Sequence, residues 1–156
     1  MIHQDKFTLE EQSILLQLQE QYHLRDYLLD YLIAYIGFES GFDSNHEFKF
    51  FWHKPVTGYY YLMPRVAKAY GIKSNTLSKW TGAKQLLFLH KYLKPFEFKL
   101  KKPENIVGCM IDPLYIGANA ETNVFNSKLQ YQYLDTKGVL PLKKILDKVE
   151  GIYLNG

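Results

Sequence analysis

An all-α domain, with at most a minor β-hairpin, is what this sequence predicts, and three observations carry the prediction. Apolar residues recur at helical spacing in most of the chain, in segments bounded by capping residues, glycines and prolines. Strand-like signals are confined to one aromatic-rich segment, residues 42–58. The 156 residues, 47% apolar and 22% charged, suit one globular domain spanning 1–156, long enough to bury roughly two-thirds of its unfolded surface. No internal repeat and no linker interrupts it.

The elements follow in order. "TLEE" from Thr8 pairs a threonine with Glu11 three residues on, a capping box that opens a helix running to about Tyr22. A second helix runs from about Arg25 to Glu39. Its apolar positions Leu28, Leu29, Leu32, Ile33, Tyr35, Ile36 and Phe38 cover most of the circumference, which makes it the central, buried helix. Gly41 stands where a left-handed residue closes the last turn. Residues 42–58 contain Phe48, Phe50, Phe51, Trp52 and Pro55 and read as a β-hairpin or an aromatic loop; either leaves rings near Glu39.

Pro64 opens a third helix, "PRVAKAYG", ended by Gly71. "LSKW" is a short helix, and "TGAKQLLFLHKYLKP" a longer one stopped by Pro95. Pro103 starts "PENIVGCMI". Signals are mixed from Asp112 to Gln132. The last helix, about Leu140 to Val149, places Leu142, Ile145, Leu146 and Val149 on one face.

Composition narrows the function. The net charge is +3, and the only notable basic patch, "KPFEFKLKKPE", reads as solvated surface, so no nucleic-acid partner is expected. A mildly basic chain is drawn to an anionic polymer such as a bacterial cell wall. The aromatic share of 16%, with 13 Tyr and 10 Phe, exceeds what a core needs and suits ring contacts with flat ligands such as sugars. Cys109 is the single cysteine, in the apolar "NIVGCMI", and reads as an inert buried thiol. The five histidines have no metal-binding spacing. The N-terminus lacks a signal-peptide core, and the longest apolar run, Tyr27 to Phe38, is too short to span a bilayer. Synthesis in the cytoplasm without a membrane segment is the expectation, with delivery elsewhere depending on other components.

"YLIAYIGFESGFDSN" places a carboxylate, Glu39, where an apolar helix stops. An apolar setting and the negative end of a helix dipole both disfavour a carboxylate's charge. A glycosidase needs such an acid, to protonate the leaving oxygen while the sugar becomes oxocarbenium-like. Asp43 and Glu47 lie nearby in sequence, and Asp112 is a further carboxylate that folding can bring close. Asp43 reads as a loop-capping residue.

"IGFESGFDSN" is followed by "TGYYYLMPRVAKAYGI" and then by "LSKWTGAKQLLFLHKYLKPF". This ordered set resembles the soluble lytic transglycosylase family of the lysozyme-like superfamily, and phage-encoded members most of all, which continue with segments like "DPLYIGAN" and "YLDTKG". The resemblance covers roughly residues 28–150. It departs at three places: "HEFKFFWHKPVTG" replaces the small-residue approach to the second motif, Tyr61 stands at the motif's glutamine, and "DTKGVL" stands where the phage pattern often resembles a calcium loop. A phenol lacks an amide's paired donor and acceptor. "DTKGVL" offers only Asp135, too few oxygens for calcium.

The resemblance implies a lysozyme-like helical fold with a cleft between the central and later helices. It also implies cleavage of the peptidoglycan strand between N-acetylmuramic acid and N-acetylglucosamine, with no metal or cofactor. Glu39 would act first as acid and then as base. The base step takes the proton of the muramic acid's own hydroxyl, so an anhydro ring forms. Ser40 is expected to hold the Glu39 rotamer. Gly58, Tyr61 and Met63 fall on the second motif and are expected to border the substrate, with Trp52 as a sugar platform and Tyr115 as a hydroxyl near Glu39. Trp80 is expected to be structural. Of Tyr59, Tyr60 and Tyr61, at least one belongs to the core.

The partner is then peptidoglycan, reached in the periplasm or wall as a phage tail or lysis component. Two alternatives stand beside this: a hydrolytic muramidase using a second carboxylate, and an inactive lysozyme-like wall-binding or structural module, which Tyr61 motivates.

Overall fold

Fifteen residues with apolar side chains on nearly every side form α2, Asp26–Ser40, and the rest of the chain assembles around it. The computed structural model describes residues 1–49, 56–73, 76–135 and 137–156. Leu28, Leu29, Leu32, Ile33, Ala34, Tyr35 and Ile36 of α2 are all buried. The one acid inside its apolar run, Asp30, accepts the Ile2 N–H at 2.9 Å and so ties down the N-terminus. Gly41 closes the helix in the left-handed conformation, φ 61°.

α1, Leu9–Gln21, begins with the capping box read from the sequence: Glu11 N–H donates to Thr8 Oγ1 at 3.2 Å, and Thr8 N–H donates to Glu11 Oε2 at 2.8 Å. After α2 come the two-residue strands β1, Glu47–Phe48, and β2, Val56–Thr57, paired antiparallel with Glu47 opposite Thr57 and Phe48 opposite Val56. The hairpin option is therefore the one adopted. Trp52, with Phe50, Phe51 and Pro55, lies outside the described residues.

α3, Pro64–Ala69, and α5, Pro103–Ile111, each carry proline in the first turn, where its missing N–H costs nothing. α4, Gly82–Leu93, is capped by Thr81, which accepts the Lys84 N–H. Its α-helical turns end at Leu93, but a 3₁₀ stretch, Lys94–Lys99, carries the chain on past Pro95. A second 3₁₀ stretch, Thr76–Lys79, stands where "LSKW" predicts a short helix. The region of mixed signals contains the 3₁₀ turn Pro113–Tyr115 and a seven-residue helix, α6, Ser127–Tyr133, capped by Asn126.

The last helix, α7, Leu142–Leu154, runs five residues beyond the expected end. Gly151 does not stop it, because Tyr153 stacks on Tyr31 of α2 with ring centroids 4.4 Å apart. α2 packs chiefly on α7 and also on α5, while α1 lies along α4. One core runs from Phe7 to Val149, and a small satellite joins Tyr61, Phe48 and Met63. The all-α class with a minor hairpin is what the chain adopts. Among the described residues, no helix is long and apolar enough to cross a membrane.

Candidate functional site around Glu39

The C-terminal turn of α2 buries an acid: Glu39 is 4% exposed. The sequence places it there because Tyr35, Ile36 and Glu39 share a helical face, and that face turns inward. Tyr35, one turn earlier, donates its phenol O–H to Glu39 Oε1 at 2.7 Å. Burial, followed by the Glu39 charge and this hydrogen bond, holds the Tyr35 phenol well above its ordinary ionisation range.

The other carboxylate oxygen meets a cation. Lys128 Nζ of α6 lies 2.5 Å from Glu39 Oε2 and donates also to the Glu39 main-chain carbonyl at 3.3 Å. Both side chains are almost wholly shielded from water. Phe48 of β1 completes the enclosure, with its ring centroid 5.6 Å from the ammonium. Phe38 and Tyr133 stack at 5.4 Å beside the pair, and the Tyr133 phenol is pushed up by burial and then by the Glu39 charge. The expectation of a lone acid among apolar groups is corrected here: the apolar walls are present, and a buried lysine shares them.

Other expected contacts are redistributed. Ser40 does not hold the Glu39 carboxylate; its hydroxyl donates back to the Ile36 carbonyl at 2.7 Å, as serine commonly does inside a helix. Tyr115 does not bring its hydroxyl to Glu39 either; it accepts the Phe125 N–H at 2.7 Å. The phenol on Glu39 is that of Tyr35, and the i, i+4 spacing was the signal for it. Lys128 gave no such signal, since 89 positions separate it from Glu39 and a lysine in a polar segment reads as solvated.

The second motif is divided between core and site. Tyr59, Tyr60 and Tyr61 are all buried. Tyr60 donates to the Gln85 carbonyl and Tyr59 to Glu11 Oε1, both facing the main core. Tyr61 packs apart from them with Phe48 and Met63, and Phe48 is the ring that faces Lys128. Tyr61 and Met63 thus border the Glu39 site through one intervening ring. Gly58 serves packing: its φ is +122°, and a Cβ there would lie 2.8 Å from Gln85 Oε1.

Gln85, which the sequence did not single out, is fully buried and knots three segments. Its Oε1 accepts the Tyr59 N–H at 2.7 Å, while its Nε2 donates to the carbonyls of Ser44 and Trp80. It fixes the start of the second motif against the loop that follows Glu39.

Of the other candidate carboxylates, Asp43 and Asp112 are spent on structure. Asp43 accepts the Asn45 N–H at 2.8 Å, the loop cap expected of it. Asp112 pairs with Arg65 at 2.6 Å and accepts the Leu114 N–H. Glu47 is exposed on β1. Asp135 accepts the N–H groups of Lys137 and Val139, which lower its carboxyl below the ordinary value. Trp80 packs on Phe88 and lines a groove of about 500 Å³ with Thr8, Glu10 and Lys79, which Glu39 does not line. Compared with known proteins, the chain matches no family model, no curated protein and no solved structure.

Proposed function

We propose that this chain cleaves the glycan strand of peptidoglycan between N-acetylmuramic acid and N-acetylglucosamine, as a lytic transglycosylase. The observation that carries the reading is Glu39: one carboxyl group, held by Tyr35 at the end of a buried helix, walled by aromatic rings and adjoining the hairpin. In the reaction a neutral Glu39 protonates the leaving oxygen, and its carboxylate then takes the proton of the muramic hydroxyl that closes the anhydro ring. The acid step requires Lys128 to be elsewhere when the glycosidic oxygen arrives. The spent state of Asp43 and Asp112 favours this one-carboxylate route over a hydrolase with a separate base. The route of delivery, as a virion tail or lysis component, belongs to the same proposal.

A second reading, a wall-binding module without activity, is favoured by the Glu39–Lys128 ion pair and by Tyr61 in place of glutamine. A zymogram with embedded cell wall separates the two. Clearing by the wild type and none by Glu39→Gln supports the enzyme; co-sedimentation with walls but no clearing supports the module. Mass spectrometry of the digest then reads the chemistry, since anhydro ends mark the transglycosylase and reducing ends a muramidase.

A further inference from the structure

Lys128 is the group at this site that the reaction as proposed leaves without a task, and it lies where the substrate's proton must pass. We infer that Lys128 is a specificity-determining residue, an ammonium that leaves Glu39 for a carboxylate of the bound strand, so that acidic glycans are cut in preference to neutral ones. The inference rests on the glycan-cleaving reading and deepens it.

The geometry supplies the reasons. Glu39 Oε1 accepts from Tyr35 and Oε2 from Lys128, so each oxygen of the carboxylate is already occupied by a donor in this arrangement. A buried ammonium does not leave its counter-ion without a replacement. A neutral polysaccharide offers none. A strand carrying muramic lactyl groups or their peptides offers carboxylates, and the net charge of +3 favours such a polyanion.

The surroundings of the ammonium are aromatic: it rests 5.6 Å from the Phe48 ring, and Phe48 meets the half-exposed Tyr131 edge-on at 5.8 Å. The base of α6 stays fixed meanwhile, because Asn126 accepts the Leu129 N–H and donates to the Ile111 carbonyl. Only the side chain needs to move.

Protons balance. As Lys128 keeps its charge and pairs with the strand carboxylate, Glu39 takes one proton from solvent. It gives that proton to the glycosidic oxygen as the C–O bond breaks. It then recovers one proton from the muramic hydroxyl, whose oxygen bonds the anomeric carbon. Glu39 ends neutral, ready to pass its proton to solvent when Lys128 returns.

The test compares two substrates: amidase-stripped glycan strands bearing free lactyl carboxylates, and the same strands with those carboxylates capped as methylamides. The wild type is expected to cut the acidic strands about tenfold faster, within the range of ordinary coupling between two charges at one site. Lys128→Arg should keep the preference and Lys128→Met should abolish it. Equal rates on both strands for the wild type would overturn the inference and leave glycan cleavage standing; no cleavage of either, or of whole wall, overturns both.

Because Lys128→Met leaves Glu39 unpaired and can fail to fold, binding to Glu39→Gln gives an independent reading. With its internal rival gone, Lys128 in that variant should bind the acidic strand several-fold more tightly than the wild type does, and unchanged or weaker binding overturns the inference.

Discussion

Tyr35 and Glu39 stand one helical turn apart on the buried face of α2, and the phenol of the first donates to the carboxyl of the second at 2.7 Å. Removing that hydroxyl leaves a carboxylate oxygen without its donor in a closed site. Tyr35→Phe is expected to destabilise the chain by about 2 kcal/mol, the value of a hydrogen bond to a charged group. Urea unfolding followed by circular dichroism measures it. An unchanged midpoint would mean that the hydroxyl does not hold the carboxyl.

The same phenol sets an alkaline limit. Tyr35, Tyr60 and Tyr92 are each raised above the ordinary value of 10.0, with burial the first cause in every case. A group whose folded value is raised keeps its full contribution below the unfolded value and loses it as pH climbs beyond. Stability should therefore be flat up to about pH 10 and fall steadily above it, with the tyrosinate absorbance of these three side chains appearing only on unfolding. Early, graded ionisation of the buried tyrosines in the folded chain would contradict this.

Gln85 is expected to matter more than its neutral side chain suggests. Gln85→Leu strands the buried Tyr59 N–H and removes the donor from two part-buried carbonyls, at a cost of about 2–3 kcal/mol. Gln85→Glu keeps the acceptor but turns oxygen toward the Ser44 and Trp80 carbonyls, and should be worse. Hydrogen exchange at the Tyr59 amide reports the break directly: it accelerates in Gln85→Leu if the amide is the clasp.

At Gly108 two effects oppose each other. Alanine raises helix propensity by about 1 kcal/mol over glycine in a helix interior. A Cβ at Gly108, however, would lie 2.6 Å from the Tyr115 carbonyl oxygen, which is backbone and cannot turn aside. The steric term should win, giving a net loss of about 1–3 kcal/mol for Gly108→Ala. A raised melting temperature would show that the 3₁₀ turn above α5 yields.

Cys109 is buried, and its thiol is pushed up to about 12 by burial, then by the Asp112 charge. Ellman's reagent should leave the native chain unlabelled at neutral pH and react at once in denaturant. Fast labelling without denaturant would show α5 opening locally.

How much of this was legible in the sequence differs element by element. The capping box at Thr8 and Glu11, the prolines opening α3 and α5, and the left-handed Gly41 could be read because each is a contact within a few residues. The apolar girth of α2 announced its central place for the same reason. α6 was missed because seven mostly polar residues carry no period worth the name, and its cap, Asn126, is common in loops. The end of α7 was set too early because Tyr153 extends the helix by stacking on Tyr31, far away in the chain.

What the amino-acid order determined alone, then, is which segments coil and that Glu39 closes the most apolar of them. Whether that acid meets water, a sugar or a cation was settled by folding, which carried Lys128 across 89 positions to within 2.5 Å of it. Helical hydrogen bonds and caps span three or four residues, so local order encodes them. A buried ion pair depends on how whole helices pack, and no short window of sequence contains both of its partners.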